Sequence, residues 1–305
     1  MIGAINWDIN LFIKRFPRKG EETVVQRITR VPGGKGGNAA VAAARILGRN
    51  HAAIFGGLGK DLIGTEQVKI FEGEGVTTFG LKYCEEVESG QAYIAIDDEG
   101  ANIIHTYFGA NAMITPSDLD DPLRRGLISE ATVITIMDPP FETGAKLAQI
   151  AKALAKVVAW DPGVKSELGI EKSRPLLENV DYLVANEFEI ANLTGETNSD
   201  VAAKRLIGTN KRMKVVVKLG SKGCIMYREE KRDVLPNLDL TAVGLKVVNT
   251  VGCGDAFLGA FVAALSEGHS DLDALRWGNC AGGLKATRFE TRGGPSREML
   301  LKYLL

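Results

Sequence analysis

Asn249-Thr-Val-Gly-Cys-Gly-Asp-Ala-Phe257 carries the strongest chemical signal in the chain. It follows a strand-like stretch at 245–248 and opens an apolar helix over 256–265, which is the strand, glycine turn and helix order of a phosphate site. Gly252 and Gly254 let the backbone approach an anion, and the unpaired N–H groups of a first helical turn point at it. Asp255 would repel a phosphate there unless it has a task of its own. The natural task is to take a proton from an attacking hydroxyl while neighbouring amides hold the developing charge. Taken alone, the aspartate reads more simply as an acid favoured at a helix N-terminus by the macrodipole.

A second cluster, Pro32-Gly-Gly-Lys-Gly-Gly-Asn-Ala-Ala40, leads into a helix that runs to Leu47 and stops at Gly48. Its glycines allow close contact with a polar ligand, and Lys35 and Asn38 supply directed donors. Gly34-x-Gly36-x-x-Ala39 also fits a loose dinucleotide fingerprint. That reading lacks a strand running into the motif and an acid about 20 positions on; the nearest is Asp61. A Walker A lysine is absent, because Gly59-Lys60 is followed by Asp61 rather than Ser or Thr.

The elements that must position these groups alternate from about residue 130. Short β-branched runs at 132–137, 157–160, 182–185 and 214–219 are separated by amphipathic stretches at 141–156, 187–193 and 200–207. That pattern predicts an α/β fold, a mainly parallel sheet with helices on both faces. Residues 10–31 and 77–108 differ. They hold alternating strands such as 91–96 and 103–107, joined by the turn Asp97-Asp-Glu-Gly100, and predict a small antiparallel sheet. The two pieces are expected to meet as a lid over the mouth of one domain spanning 1–305. Glycine falls in clusters without a fixed period, which excludes a repeat array.

With 37 basic and 38 acidic residues, no net field draws the protein toward nucleic acid or an anionic membrane. The longest apolar run is about half of a roughly 20-residue span, so no membrane segment is expected. Cys84, Cys224, Cys253 and Cys280 are widely spaced, which predicts free thiols in a cytoplasmic protein. Met1–Ile5 is strand-like with almost nothing ahead of it, which leaves an upstream start codon open.

In order and spacing these motifs resemble the ribokinase, or PfkB, family of carbohydrate kinases over essentially the whole chain. Gly3-Ala-Ile-Asn-Trp-Asp8, the 33–38 cluster, Gly56-Gly-Leu-Gly-Lys-Asp-Leu-Ile-Gly64, Asn186-Glu-Phe-Glu189, Lys218-Leu-Gly-Ser-Lys-Gly223 and the 249–257 segment each match a family signature. The resemblance implies a doubly wound sheet with a β-sheet lid, and transfer of the ATP γ-phosphoryl group to a hydroxymethyl. It implies Asp255 as base and the amides of Gly252, Cys253 and Gly254 as anion hole. Asn6, Asp8, Gly34, Lys35, Asn38 and Asp138 fall on sugar contacts. Asn186, Lys218, Gly220, Gly223 and Asn279 fall on the nucleotide side, with Glu189 organising Mg²⁺ through water. A homodimer paired through its lids is also implied.

Asn249 departs from the family's aspartate at a position linked to a monovalent-cation site, so K⁺ dependence is left open. Cys253 replaces the usual alanine and is read as a small packed side chain rather than a redox sensor. A ribose-like pentose is the favoured substrate. A nucleoside would need a flat slot, which Trp7, Phe12, Tyr107 or Phe108 could line, although Trp7 alternates with Asn6 and Asp8 and so points away from the site. A non-catalytic nucleotide or sugar sensor is the reading from another class.

Overall fold

The computed structural model describes residues 1–304. Val133–Met137, Val157–Asp161, Tyr182–Asn186 and Lys214–Lys218 lie parallel in that order, with Ile2–Gly3 beside the first. The antiparallel strands Cys224–Tyr227 and Arg232–Leu235 complete a seven-stranded sheet. The period of two decides which face each side chain reaches. Val215 and Val217 join Val158, Trp160, Leu183 and Ala185 in one core, covered by helices Phe141–Ala153, Gly169–Leu177, Glu187–Thr194 and Ser199–Ile207. Val216 faces the other way with Ala159, Tyr182 and Val184, under helices Lys35–Leu47, Cys253–Ser266 and Asp271–Ala286. Both faces are buried, so the strands carry continuous apolar runs, as the alternating pattern predicts.

Helix Cys253–Ser266 is apolar nearly all round because Lys35–Leu47 packs on one flank and Asp271–Ala286 on the other. Gly259 lets two of these helices meet, since a Cβ there would press on the Ala39 carbonyl and the Ala42 side chain. This packing brings the 33–38 cluster beside the 249–257 turn.

The second sheet has the order Val25–Gly33, Asn6–Ile13, Gly90–Ile96, Asn102–Tyr107. Its outer pairs are antiparallel, but the central pair is parallel, so the antiparallel expectation holds only for the flanking strands. The sheet begins at Asn6 rather than near residue 10, because Ile2–Gly3 is short and the chain passes almost directly from one sheet into the other. Around the start of 77–108, Val76–Thr77 and Lys82–Cys84 pair with Ala52–Ala53 and Gly57–Gly59 instead.

Two further expectations need correction. A strand does run into the 33–38 cluster: Val25–Gly33 ends immediately before helix Lys35–Leu47. It is an edge strand with only Gly33 buried, so Arg27 and Arg30 hide its alternation. Conversely, no strand forms at 245–248. The large sheet ends at Arg232–Leu235, and the N–H groups of Val248 and Asn249 donate to the Ala286 carbonyl at 2.7 and 3.1 Å. Val247 and Val248 are exposed. Among the described residues no helix is long and apolar enough to cross a membrane.

Candidate active site

Parallel strands deliver functional groups from their C-terminal ends. Asp138 follows Val133–Met137, Asp161 ends Val157–Asp161, Asn186 ends Tyr182–Asn186, and Lys218 ends Lys214–Lys218. Opposite them, at the start of its helix, Lys35 reaches Asp161 Oδ1 at 2.8 Å and Glu189 Oε1 at 3.1 Å. Lys218 Nζ lies 2.8 Å from Asp161 Oδ2. Burial would raise the Asp161 carboxyl, but Lys218 and Lys35 outweigh it and hold the group well below the ordinary carboxylate range. Burial likewise works against charge on both lysines, and Asp161 holds both above the usual lysine value.

The Asn186-x-x-Glu189 pair forms a capping box. Asn186 Oδ1 accepts from the Glu189 N–H at 2.8 Å, and Glu189 Oε2 accepts from the Asn186 N–H at 2.9 Å. The cap fixes the Glu189 carboxylate with its other oxygen turned to Lys35.

Gly252, at φ 86°, caps helix Cys253–Ser266, and a Cβ on it would overlap the Thr291 carbonyl. The Cys253 N–H donates to the Thr250 carbonyl at 3.2 Å. Among the described residues the backbone N–H groups of Gly252 and Gly254 have no acceptor, which leaves them available to an anion. Lys218 Nζ stands beside Gly254, 3.3 Å from where a Cβ would be. Burial pushes the Cys253 thiol up, which fits a packed side chain and not a reactive thiolate.

Asp255 is buried on the first turn of this helix, and its Oδ2 accepts from Asn38 Nδ2 at 2.8 Å. Burial raises its pKa, while Lys35 and the Asn38 hydrogen bond pull it down. Asn38 Oδ1 accepts from Arg292 Nε at 3.2 Å, so a donor on one side and an acceptor on the other set the amide orientation. Arg292 Nη2 donates to the Gly33 carbonyl at 2.7 Å, and the guanidinium stacks 4.6 Å from the Phe71 ring centre.

Asn6 and Asp8 share a face of Asn6–Ile13, with Trp7 half-buried on the other. Asp8 fills the space a Cβ on Gly33 would take. Burial pushes its carboxyl up to about 7 against the pull of Arg292, with Asp255 adding to the rise. Asn6 Oδ1 accepts from Asn111 Nδ2 at 2.9 Å, and the Asn6 carbonyl accepts from Gln67 Nε2 at 2.7 Å. Asp138 adopts φ 57°, and burial also pushes it up to about 7. Asp138 Oδ1 and Gln67 Oε1 are buried without a partner among the described residues, so each offers an acceptor, or in protonated Asp138 a donor, to a polar ligand. Gly34 starts the helix with its α-carbon against the Ala4–Asn6 backbone, where a Cβ would overlap the Asn6 nitrogen.

On the far side of Lys218, Gly220–Lys222 forms a tight turn closed by Gly223. Asn237 Nδ2 donates to the Gly220 carbonyl at 3.1 Å. Asn279 Nδ2 donates to the Pro236 and Leu235 carbonyls at 3.0 and 3.3 Å. Asn279 therefore braces the segment behind this turn and stands outside the lysine and carboxylate cluster.

The structure adds four residues to those the sequence points to: Asp161, Arg292, Asn111 and Gln67. Only Asp161 had a local signal, since Trp160-Asp-Pro-Gly163 repeats the strand-end acid of Met137-Asp-Pro-Pro140.

A model of pfkB family carbohydrate kinases matches residues 1–298. A ribokinase from Lactococcus lactis is 31% identical over 96% of this chain and 92% of its own length. An ATP-dependent ribose-1-phosphate kinase from Halopiger xanaduensis is 29% identical, covering 99% of this chain and 96% of its own length. The solved structure of Arabidopsis thaliana ribokinase complexed with ribose and ATP superposes with a TM-score of 0.84 at 27% identity, covering 99% of this chain and 97% of that one.

Proposed function

This chain belongs to the pfkB family of carbohydrate kinases, and from that premise we propose that it transfers the γ-phosphoryl group of ATP to a hydroxymethyl of a ribose-like pentose. One observation carries the reading: a buried aspartate, aimed by Asn38, stands beside the free amides of a helix N-terminus. The hydroxyl oxygen bonds to the γ-phosphorus as its proton passes to Asp255, and the bond from that phosphorus to the bridging oxygen breaks to release ADP. The Gly252 and Gly254 amides and Lys218 face the transferred group, with the Cys253 amide joining them by leaving Thr250. Asn6, Asp8, Asn38 and Asp138 hold the sugar hydroxyls, beside Gly34 and Lys35. The 220–223 turn and Asn186 receive the nucleotide, with Asn279 supporting that side. The small sheet closes over the sugar and excludes water that would hydrolyse ATP.

Magnesium would arrive with the nucleotide and neutralise phosphate charge. The oxygens of Glu189 and Asp161 already accept hydrogen bonds, a donor set suited to an ion held through water. Four unpaired cysteines support a reducing, cytoplasmic setting.

ADP release with ribose, ribose-1-phosphate, fructose, cytidine and adenosine tests the substrate. The free pentose should give the highest kcat/KM. Signal with nucleosides alone would replace the pentose reading, and tight ATP and ribose binding without any ADP release would favour a sensor.

We also propose a homodimer through the lids. Strand Asn102–Tyr107 is a free edge, exposed throughout, and carries Ile103, Ile104 and Tyr107 at 45%, 53% and 45% exposure. Ile104→Lys should convert a dimer to a monomer in sedimentation velocity. A wild-type monomer at micromolar concentration would overturn the proposal.

A further inference from the structure

Building on the kinase reading, we propose that the Lys285 ammonium is a built-in cation behind the phosphate-binding turn, standing where family resemblance would place a monovalent metal ion. Lys285 lies in the last turn of helix Asp271–Ala286 and is fully buried. Its Nζ donates to the Asn249 carbonyl at 2.9 Å and lies 3.4 Å from the Arg288 carbonyl. A buried ammonium with carbonyl acceptors on two segments of chain is a coordinated cation in all but its covalent tether.

The surrounding groups do not fit a potassium ion. Such an ion needs oxygens with free lone pairs and gains from a carboxylate. Asn249 supplies a neutral amide instead, and its Nδ2 donates to the Phe289 carbonyl at 2.7 Å. Its Oδ1 accepts from the Val251 N–H at 3.0 Å, and the Ala286 carbonyl accepts from both Val248 and Asn249. The carbonyls of Asn249, Ala286, Arg288 and Phe289 thus all face donors belonging to the chain. Lys285 ties the 249–252 segment to the 286–291 segment, whose Thr291 carbonyl abuts Gly252. It acts as a positioning residue: it holds the Gly252 and Gly254 amides in place and sets positive charge behind them.

The test compares chloride salts of potassium, sodium and tetramethylammonium at equal ionic strength. For the wild-type enzyme, turnover should agree among the three within about twofold, and the unliganded protein should melt within about 1 °C, since an ion that does not bind cannot stabilise. Lys285→Met should lower kcat about tenfold, less than the roughly 10²- to 10³-fold typical of losing a direct donor. It should also acquire a response to potassium that sodium and tetramethylammonium do not give. Wild-type turnover or melting that rises specifically with potassium would overturn the proposal. So would a folded Lys285→Met variant that equals wild type, or that loses activity equally in every salt. If the variant does not fold, the wild-type comparison decides alone. The melting arm needs no turnover, so it stands even if the proposed substrate is wrong.

Discussion

Asp255→Asn should cut turnover by about 10²- to 10⁴-fold while leaving ATP affinity nearly unchanged. The substitution preserves shape and one contact, because an asparagine carbonyl can still accept from Asn38 Nδ2 where Asp255 Oδ2 now does at 2.8 Å. Only the proton acceptor is lost. The loss should appear in kcat and kcat/KM together, the mark of an interaction made chiefly in the transition state.

Stability should move the other way. The folded-state pKa of Asp255 is raised by burial, so between the unfolded value near 4 and the folded value the native protein binds the proton more tightly than the unfolded chain. Stability from this group therefore falls as pH rises through that window, and a neutral amide removes the loss. A variant that is inactive yet melts at or above the wild-type temperature at pH 8 separates a catalytic role from a packing role. Activity within tenfold of wild type would remove Asp255 as the base.

The strand-end grammar of the site was partly legible in the sequence. Asp138, Asn186 and Lys218 each follow an apolar run, and the structure sets them along one edge of the sheet. Asp161 obeys the same grammar less visibly, because the run before it ends in Trp160 and the aspartate looks like the first residue of a turn before Pro162-Gly163. Arg292 could not have been read locally, since its partner Asn38 lies 254 residues away and nothing in Thr-Arg-Gly-Gly-Pro marks a buried guanidinium. Hydrophobic patterning failed where burial does not follow it. Val25–Gly33 is a strand without an apolar face, and 245–248 is an apolar run with no strand left to pair with. The helices were easier to read, because Asn186 and Gly48 mark their ends chemically.

Asp161→Asn should destabilise the protein by about 3–5 kcal/mol, the usual result of removing one partner from a buried ion network. Asp161 is 1% exposed and accepts from Lys35 on one oxygen and Lys218 on the other, at 2.8 Å each. An amide offers one acceptor and turns two N–H donors toward one of the ammonium groups. Glu189 contacts Lys35 but not Lys218, so it cannot replace the missing charge for both. Urea unfolding should show a lower midpoint at an unchanged slope. The sign of the pH dependence follows from the depressed carboxyl: its stabilisation is fully present above the unfolded value near 4 and is lost as pH falls toward the folded one. The gap between wild type and variant should therefore be complete at pH 7 and narrow below about pH 4. Catalysis should suffer as well, because Lys218 released from Asp161 no longer has a fixed place beside Gly254. A variant within about 0.5 kcal/mol of wild type at pH 7 would mean that the two lysines find other partners, and that Asp161 does not organise the centre of the site.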